Sequence, residues 1–133
     1  MLDDTSTPIL MLAARVCLAL VFLVSGLHKA IWYQKAVQEF EHDAIPAISL
    51  ILPGTIVLHL LGSLCLIVGY QTRTAASLLA IFTVVATLKV HAYWRLPDEE
   101  QLGRSRSFTA NLAIIGGLLL LTAVGPGPLS IGI

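Results

Sequence analysis

The sequence predicts an all-α integral membrane protein: a four-helix bundle with a short interfacial helix between its first and second helices. Three observations lead there. Of 133 residues, 56% are hydrophobic and only 12% charged, against about 25% charged in soluble domains. The eight Lys or Arg and eight Asp or Glu residues fall mostly in short stretches between apolar runs. Four of those runs approach or exceed the length of roughly 17 to 25 residues that a membrane-spanning helix needs. Net charge is zero, so electrostatics offers no reason to expect a nucleic-acid partner.

The spans are predicted at residues 9–30, 48–69, 75–94 and 108–124 of a single 1–133 unit. The leader MLDDTSTP is acidic where a cleaved signal needs a basic region, and no A-x-A-like site follows the first run. The first span is therefore expected to be a retained helix. Between spans one and two, Ile31, Val37, Phe40 and Ile45 recur among charges, the pattern of a half-helix lying at the membrane surface. Pro46 should end it before the second span. The connection RLPDEEQLGRSRSF carries Pro97 and Gly103 and reads as a plain polar loop.

Four alternating helices put both termini and the turn 70–74 on one side, the tail side, and the two longer connections on the other, the loop side. Lys29, Lys35, Arg95, Arg104 and Arg106 collect on the loop side with Lys89 close by, against Arg73 and the inset Arg15 on the tail side. Basic residues in short loops mark the cytoplasmic face, which predicts both termini outside. Trp32 with Tyr33 and Tyr93 with Trp94 place aromatic pairs at that same loop-side interface.

Ionisable residues inside a span are expensive, and for that reason they are functional candidates. His59 lies about 15 Å deep at a rise of 1.5 Å per residue. Thr55 and Ser63 are each four residues from it, so the three share one helix face, which should point into the bundle. Its readings are a neutral imidazole bonded across helices, a proton relay or quinone partner, or a haem or metal ligand. The last is disfavoured, because no second histidine lies at that depth. On the third span Thr83, Thr87 and His91 follow at four-residue steps. Antiparallel packing gathers His28, Lys29, Lys89, His91 and Asn111 near one level on the loop side. That set can bind a quinone head group or an anion, or its lysines can simply snorkel to lipid phosphates. Arg15 is close enough to the tail side to snorkel, Arg73 reads as an orientation anchor, and Cys17 and Cys65 read as small inert packing residues. Gly62, Gly69, Gly116 and Gly117 suit close helix approach.

The run ARVCLALVFLVSGLHKA, the segment GYQTRTAASLL, and NLAIIGGLLLL followed by GPGPLS resemble the DoxX family of small four-helix bacterial membrane proteins. The resemblance extends over nearly the whole chain. Arg15, Gly26 and Lys29 correspond to the family's first helix, Gly69, Thr72 and Arg73 to its short turn, and His91 to its third-helix histidine. Asn111, Gly125, Gly127 and Ser130 correspond to its closing segment. His59 stands where family members commonly carry an acid, and Gly132 where they carry an Asp. Chemistry that depends on that acid must differ or be absent here. The resemblance implies membrane redox work: its namesake relatives look like subunits of a thiosulfate:quinone oxidoreductase, and others are linked to thiol and oxidative-stress complexes.

The reading these observations favour is a bacterial inner-membrane subunit or anchor of a quinone-linked redox assembly, with His28, Lys29, His59, Lys89, His91 and Asn111 as candidate binding residues. Quinone is the cofactor class expected, and no metal site is. Partners are the bilayer and other membrane or redox proteins, or further copies of the chain. A small oligomeric transporter or channel lined by Thr55, His59 and Ser63, and an assembly subunit with no site of its own, are the alternatives.

Overall fold

The computed structural model describes the backbone of residues 6–90 and 98–130, and the side chains of 6–89 and 105–130. Five helices follow in order: α1 (Ser6–Ile31), α2 (Tyr33–His42), α3 (Ile48–Val68), α4 (Thr72–Val90) and α5 (Asp98–Val124). Four of them, α1, α3, α4 and α5, are long and apolar enough to cross a membrane. Leu20, Val24, Leu61, Ile81, Val85 and Leu120 are among the many large apolar side chains on the outer surface, as a lipid-facing bundle requires.

The interfacial helix forms where expected, as α2. The connection before the last span differs from expectation. Residues 98–107 are helical and continuous with it, so Gly103 does not act as a breaker. A single glycine costs about 1 kcal/mol in a helix, and the Glu, Gln, Leu and Arg around it are good helix formers. The expected end of the third span, at 91–94, lies outside the described residues.

α1 packs mainly on α3, and α4 on α5, with the α3–α4 contact joining the two pairs and a slighter α1–α5 contact closing the ring. Small residues set these approaches. A Cβ on Gly62 would come within 3.1 Å of the Leu79 side chain, and one on Gly117 within 3.1 Å of Leu18. Gly116, by contrast, faces open space. The hydrophobic core, including Ala19, Phe22, Leu66, Leu79, Leu118 and Leu121, occupies the middle and tail side of the bundle.

Arg15 lies at the tail end of that core. It does not snorkel outward but is fully buried, and the reason lies in the end of α3. The last carbonyls of a helix have no partner within it and must find donors elsewhere. Cys65 O accepts from the amides of Gly69 and Tyr70. Arg15 Nη1 donates to Leu66 O at 2.9 Å and Ile67 O at 3.2 Å. Nη2 donates to Leu129 O, which brings the segment after α5 back over the end of α3. Gly69, the C-cap, has φ 78°, a left-handed conformation suited to glycine. A Cβ there would also lie 2.7 Å from Arg15 Nη1 and strike Ser130. Arg73, expected as an orientation anchor, lies over Gly125: a Cβ at Gly125 would be 3.0 Å from its Nε.

The loop side is looser. His59 of α3 packs on Gly26 of α1, where an added Cβ would be 3.0 Å from the His59 Cβ. α1 therefore ends roughly opposite Gly54, and α3 continues about 9 Å past it at 1.5 Å per residue. Pro53 removes an amide from that part of α3, and Gly54 has no neighbour within 4 Å of where its Cβ would stand. The chain turns from α2 into α3 through Ala44 (φ 57°) and Ala47 (φ 50°).

Arg15→Ala removes a donor from three carbonyls at once, and bonds to charged groups contribute about 1.5–3 kcal/mol each. A fall of roughly 10 °C in the melting temperature of the detergent-purified protein is expected. Gly69→Ala should fall in the same direction. An unchanged transition in both variants would contradict the role given to this junction.

Candidate functional site

Between the packed tail side and α2 lies a cleft of about 1020 Å³. All five helices contribute to its wall, with Phe22 and Lys29 from α1, Glu39 from α2, Thr55 and His59 from α3, Phe82 and Lys89 from α4, and Asn111 from α5. The wall is largely apolar, as ligand pockets are, with a few convergent polar groups.

His59 is the imidazole of this group. It is only 4% exposed, and neither ring nitrogen has a hydrogen-bond partner. Its neighbours are rings. Phe22 stands edge-on at 5.3 Å and Phe82 at 4.9 Å between centroids. The predicted polar stripe is buried as expected, but its hydroxyls do not serve the imidazole. Thr55 Oγ1 donates to Ile51 O at 2.8 Å, and Ser63 Oγ to Leu60 O at 2.9 Å. Buried polar atoms without partners are rare in folded proteins, and among the described residues His59 carries two of them, with Arg15 Nε and Thr72 Oγ1 the others.

Asn111 and Thr87 join α5 to α4 through Asn111 Nδ2 donating to Thr87 Oγ1 at 3.1 Å. An amide carries two N–H bonds and a carbonyl, so this contact uses one of its donors. Lys29 is half-buried, and its ammonium is bonded within its own helix. Nζ donates to Ser25 Oγ at 2.6 Å, one turn back toward the membrane interior. Simple snorkelling does not describe this lysine.

Lys29, His59, Lys89 and Asn111 thus share one cleft. His28 does not line that cleft: it lines an adjoining depression of about 250 Å³ between α1 and α2, which Ser25, Lys29, Lys35 and Glu39 share with the cleft. Adjacent helix residues point about 100° apart, so Lys29 reaches both spaces while His28 lines only the outer one. His91 lies outside the described residues. Phe22, Phe82 and Ser25 were not expected at the site. Phe22 falls on the buried face of α1 with Arg15, Ala19 and Gly26, a helical spacing that marks it as inward without revealing a cleft. Cys17 is exposed on the outer face rather than packed inside, and Cys65 is partly buried. Among the described residues no His, Cys, Asp and Glu cluster could hold a metal ion.

Fold and site together define a small multi-pass α-helical membrane protein with an internal, polar-floored cleft. The model of the DoxX family matches residues 10–92, and the chain belongs to that family. It is similar to the inner membrane protein YqjF of Escherichia coli strain K12, with 33% identity over 120 residues, 90% of this chain and 87% of that one. It is similar also to the inner membrane protein YphA of the same organism, with 27% identity over 93% of this chain and 89% of that one. The ER-derived vesicles protein ERV29 of Saccharomyces cerevisiae is 27% identical over 97% of this chain, which spans only 34% of that protein. No solved structure matches the chain.

Leaving a polar group buried without a partner costs about 1–3 kcal/mol. His59→Leu is therefore expected to raise the melting temperature of the ligand-free protein by a few degrees, measured in detergent with endogenous small molecules removed. A clear fall instead would mean that the imidazole is structural.

Proposed function

We propose that this protein is a membrane subunit of a quinone-linked redox assembly in the bacterial inner membrane, and that its cleft holds the quinone head group. The observation that carries this reading is the imidazole of His59, without partners, at the floor of an apolar cleft. A quinone is a flat apolar ring with oxygen atoms at its edge. Phe22 and Phe82 offer apolar surface for the ring. The neutral imidazole supplies one donor and one acceptor, and the Asn111 amide supplies a second donor. A single imidazole can therefore bond a quinone carbonyl through its N–H or a quinol hydroxyl through its lone pair.

The E. coli relatives are named as inner membrane proteins, which supports the same membrane here, and the loop-side bases support both termini outside. With so little chain outside the spans, electrons would come from a partner protein docked against the loops or outer helix faces. A transport path is less well supported. The core residues Leu66, Leu79 and Leu118 lie between the cleft and the tail side, so the cleft is blind within one chain.

Equilibrium binding of ubiquinone-1 to the delipidated protein tests the reading. Saturable binding near one per chain is expected, weakened roughly tenfold in His59→Leu and in Asn111→Leu, the size of one or two lost hydrogen bonds. Binding that is absent, or unchanged in both variants, would leave the protein as an assembly subunit without a site of its own.

A further inference from the structure

The cleft holds a feature that a neutral quinone alone does not require. A charged side chain within a bilayer costs about 2.5–3.5 kcal/mol even on insertion scales and normally meets an opposite charge. Lys29 has the reach to place its ammonium in the loop-side interface, yet it bonds back to Ser25 at 2.6 Å. Ser25 precedes Gly26, whose missing side chain lets α1 rest on the His59 Cβ. The ammonium is thereby drawn toward the level of His59, and Ser25, Lys29 and His59 all line the same cleft. No span of the sequence contains an Asp or Glu to neutralise it, and its hydrogen bond among the described residues goes to a neutral hydroxyl. Glu39 of α2 lines the same cleft and its carboxylate acts on Lys29, but the cleft as a whole sets Lys29, Lys35 and Lys89 against Glu39 and Asp43 and so keeps an excess positive charge. An ammonium has three N–H bonds, and two remain for a ligand.

We propose that the cleft takes its ring ligand as an anion, with the Lys29 ammonium as the counter-charge and Ser25 as the group that holds it inward. This rests on the quinone reading and narrows it: the bound species carries one ionised ring oxygen, of the quinolate or hydroxyquinone type. His59 supplies a neutral donor to the same ring, and the phenyl rings of Phe22 and Phe82 exclude water from the pairing.

Two probes separate the claims: a 2-hydroxy-3-alkyl-1,4-naphthoquinone, ionised at neutral pH, and its neutral 2-methoxy ether. The wild-type protein should bind the hydroxy compound roughly tenfold or more tightly than the ether, as a charge-assisted bond predicts. Lys29→Met should abolish that preference, and Ser25→Ala, which leaves the charge but frees it, should reduce it. Arg106→Met, in the first turns of α5 and outside the cleft lining, should keep it. Equal wild-type affinity for both compounds would overturn the anion inference while leaving the quinone reading standing. A preference that survives in both Lys29→Met and Ser25→Ala would overturn it as well. Failure of both compounds to bind the wild type would overturn both.

Discussion

The guanidinium of Arg15 governs the tail half of the molecule. A helix that stops inside protein rather than in water leaves carbonyls that must be bonded, and α3 ends among α1, α4 and the segment after α5. One planar, permanently charged fork answers two carbonyls of α3 and one of that segment, a task for which a lysine has the wrong geometry. Its charge is tolerated because the bonded carbonyls are the negative end of a helix dipole. Gly69 is the corollary: it supplies the left-handed cap and leaves space for both Arg15 and Ser130.

With the tail half held this way, the loop half is free to be incompletely packed. α1 stops short of α3, Pro53 loosens the first turns of α3, and α2 lies across the space that results. The same sequence thus builds a tight end and an open one. Unpartnered buried polar atoms occur in both halves: Arg15 Nε and Thr72 Oγ1 on the tail side, and the two ring nitrogens of His59 in the open half, where they belong to a residue that lines the cleft. A protein that carries such a liability in a cleft gains nothing in stability from it, which is the physical ground for proposing that a ligand completes it.

The four spans, the surface helix and the inward stripe of Thr55, His59 and Ser63 were legible in the sequence, because each depends on local periodicity and on the cost of charge in lipid. The roles of Arg15 and Lys29 were not. Both look like snorkelling residues when only their distance from a helix end is known. What decides them is a partner far away in sequence for Arg15, and a choice of rotamer for Lys29. The helical start of α5 was hidden by Gly103, a weak breaker among strong helix formers. Phe22 and Phe82 were invisible as site residues for a different reason: in an apolar helix nothing distinguishes an aromatic that lines a cleft from one that fills a core.

The closed tail half and the open loop half should differ in thiol accessibility, which measures the contrast between them directly. In a background with Cys17 and Cys65 replaced, single cysteines at Ala86 and Ser25, which are partly exposed and line the cleft, are compared with cysteines at Ala19 and Ala80, which lie in the core. A small water-soluble maleimide applied from the loop side should label the first pair at least about tenfold faster than the second. Equal protection of all four positions would contradict the open cleft, and with it the functional reading built on His59.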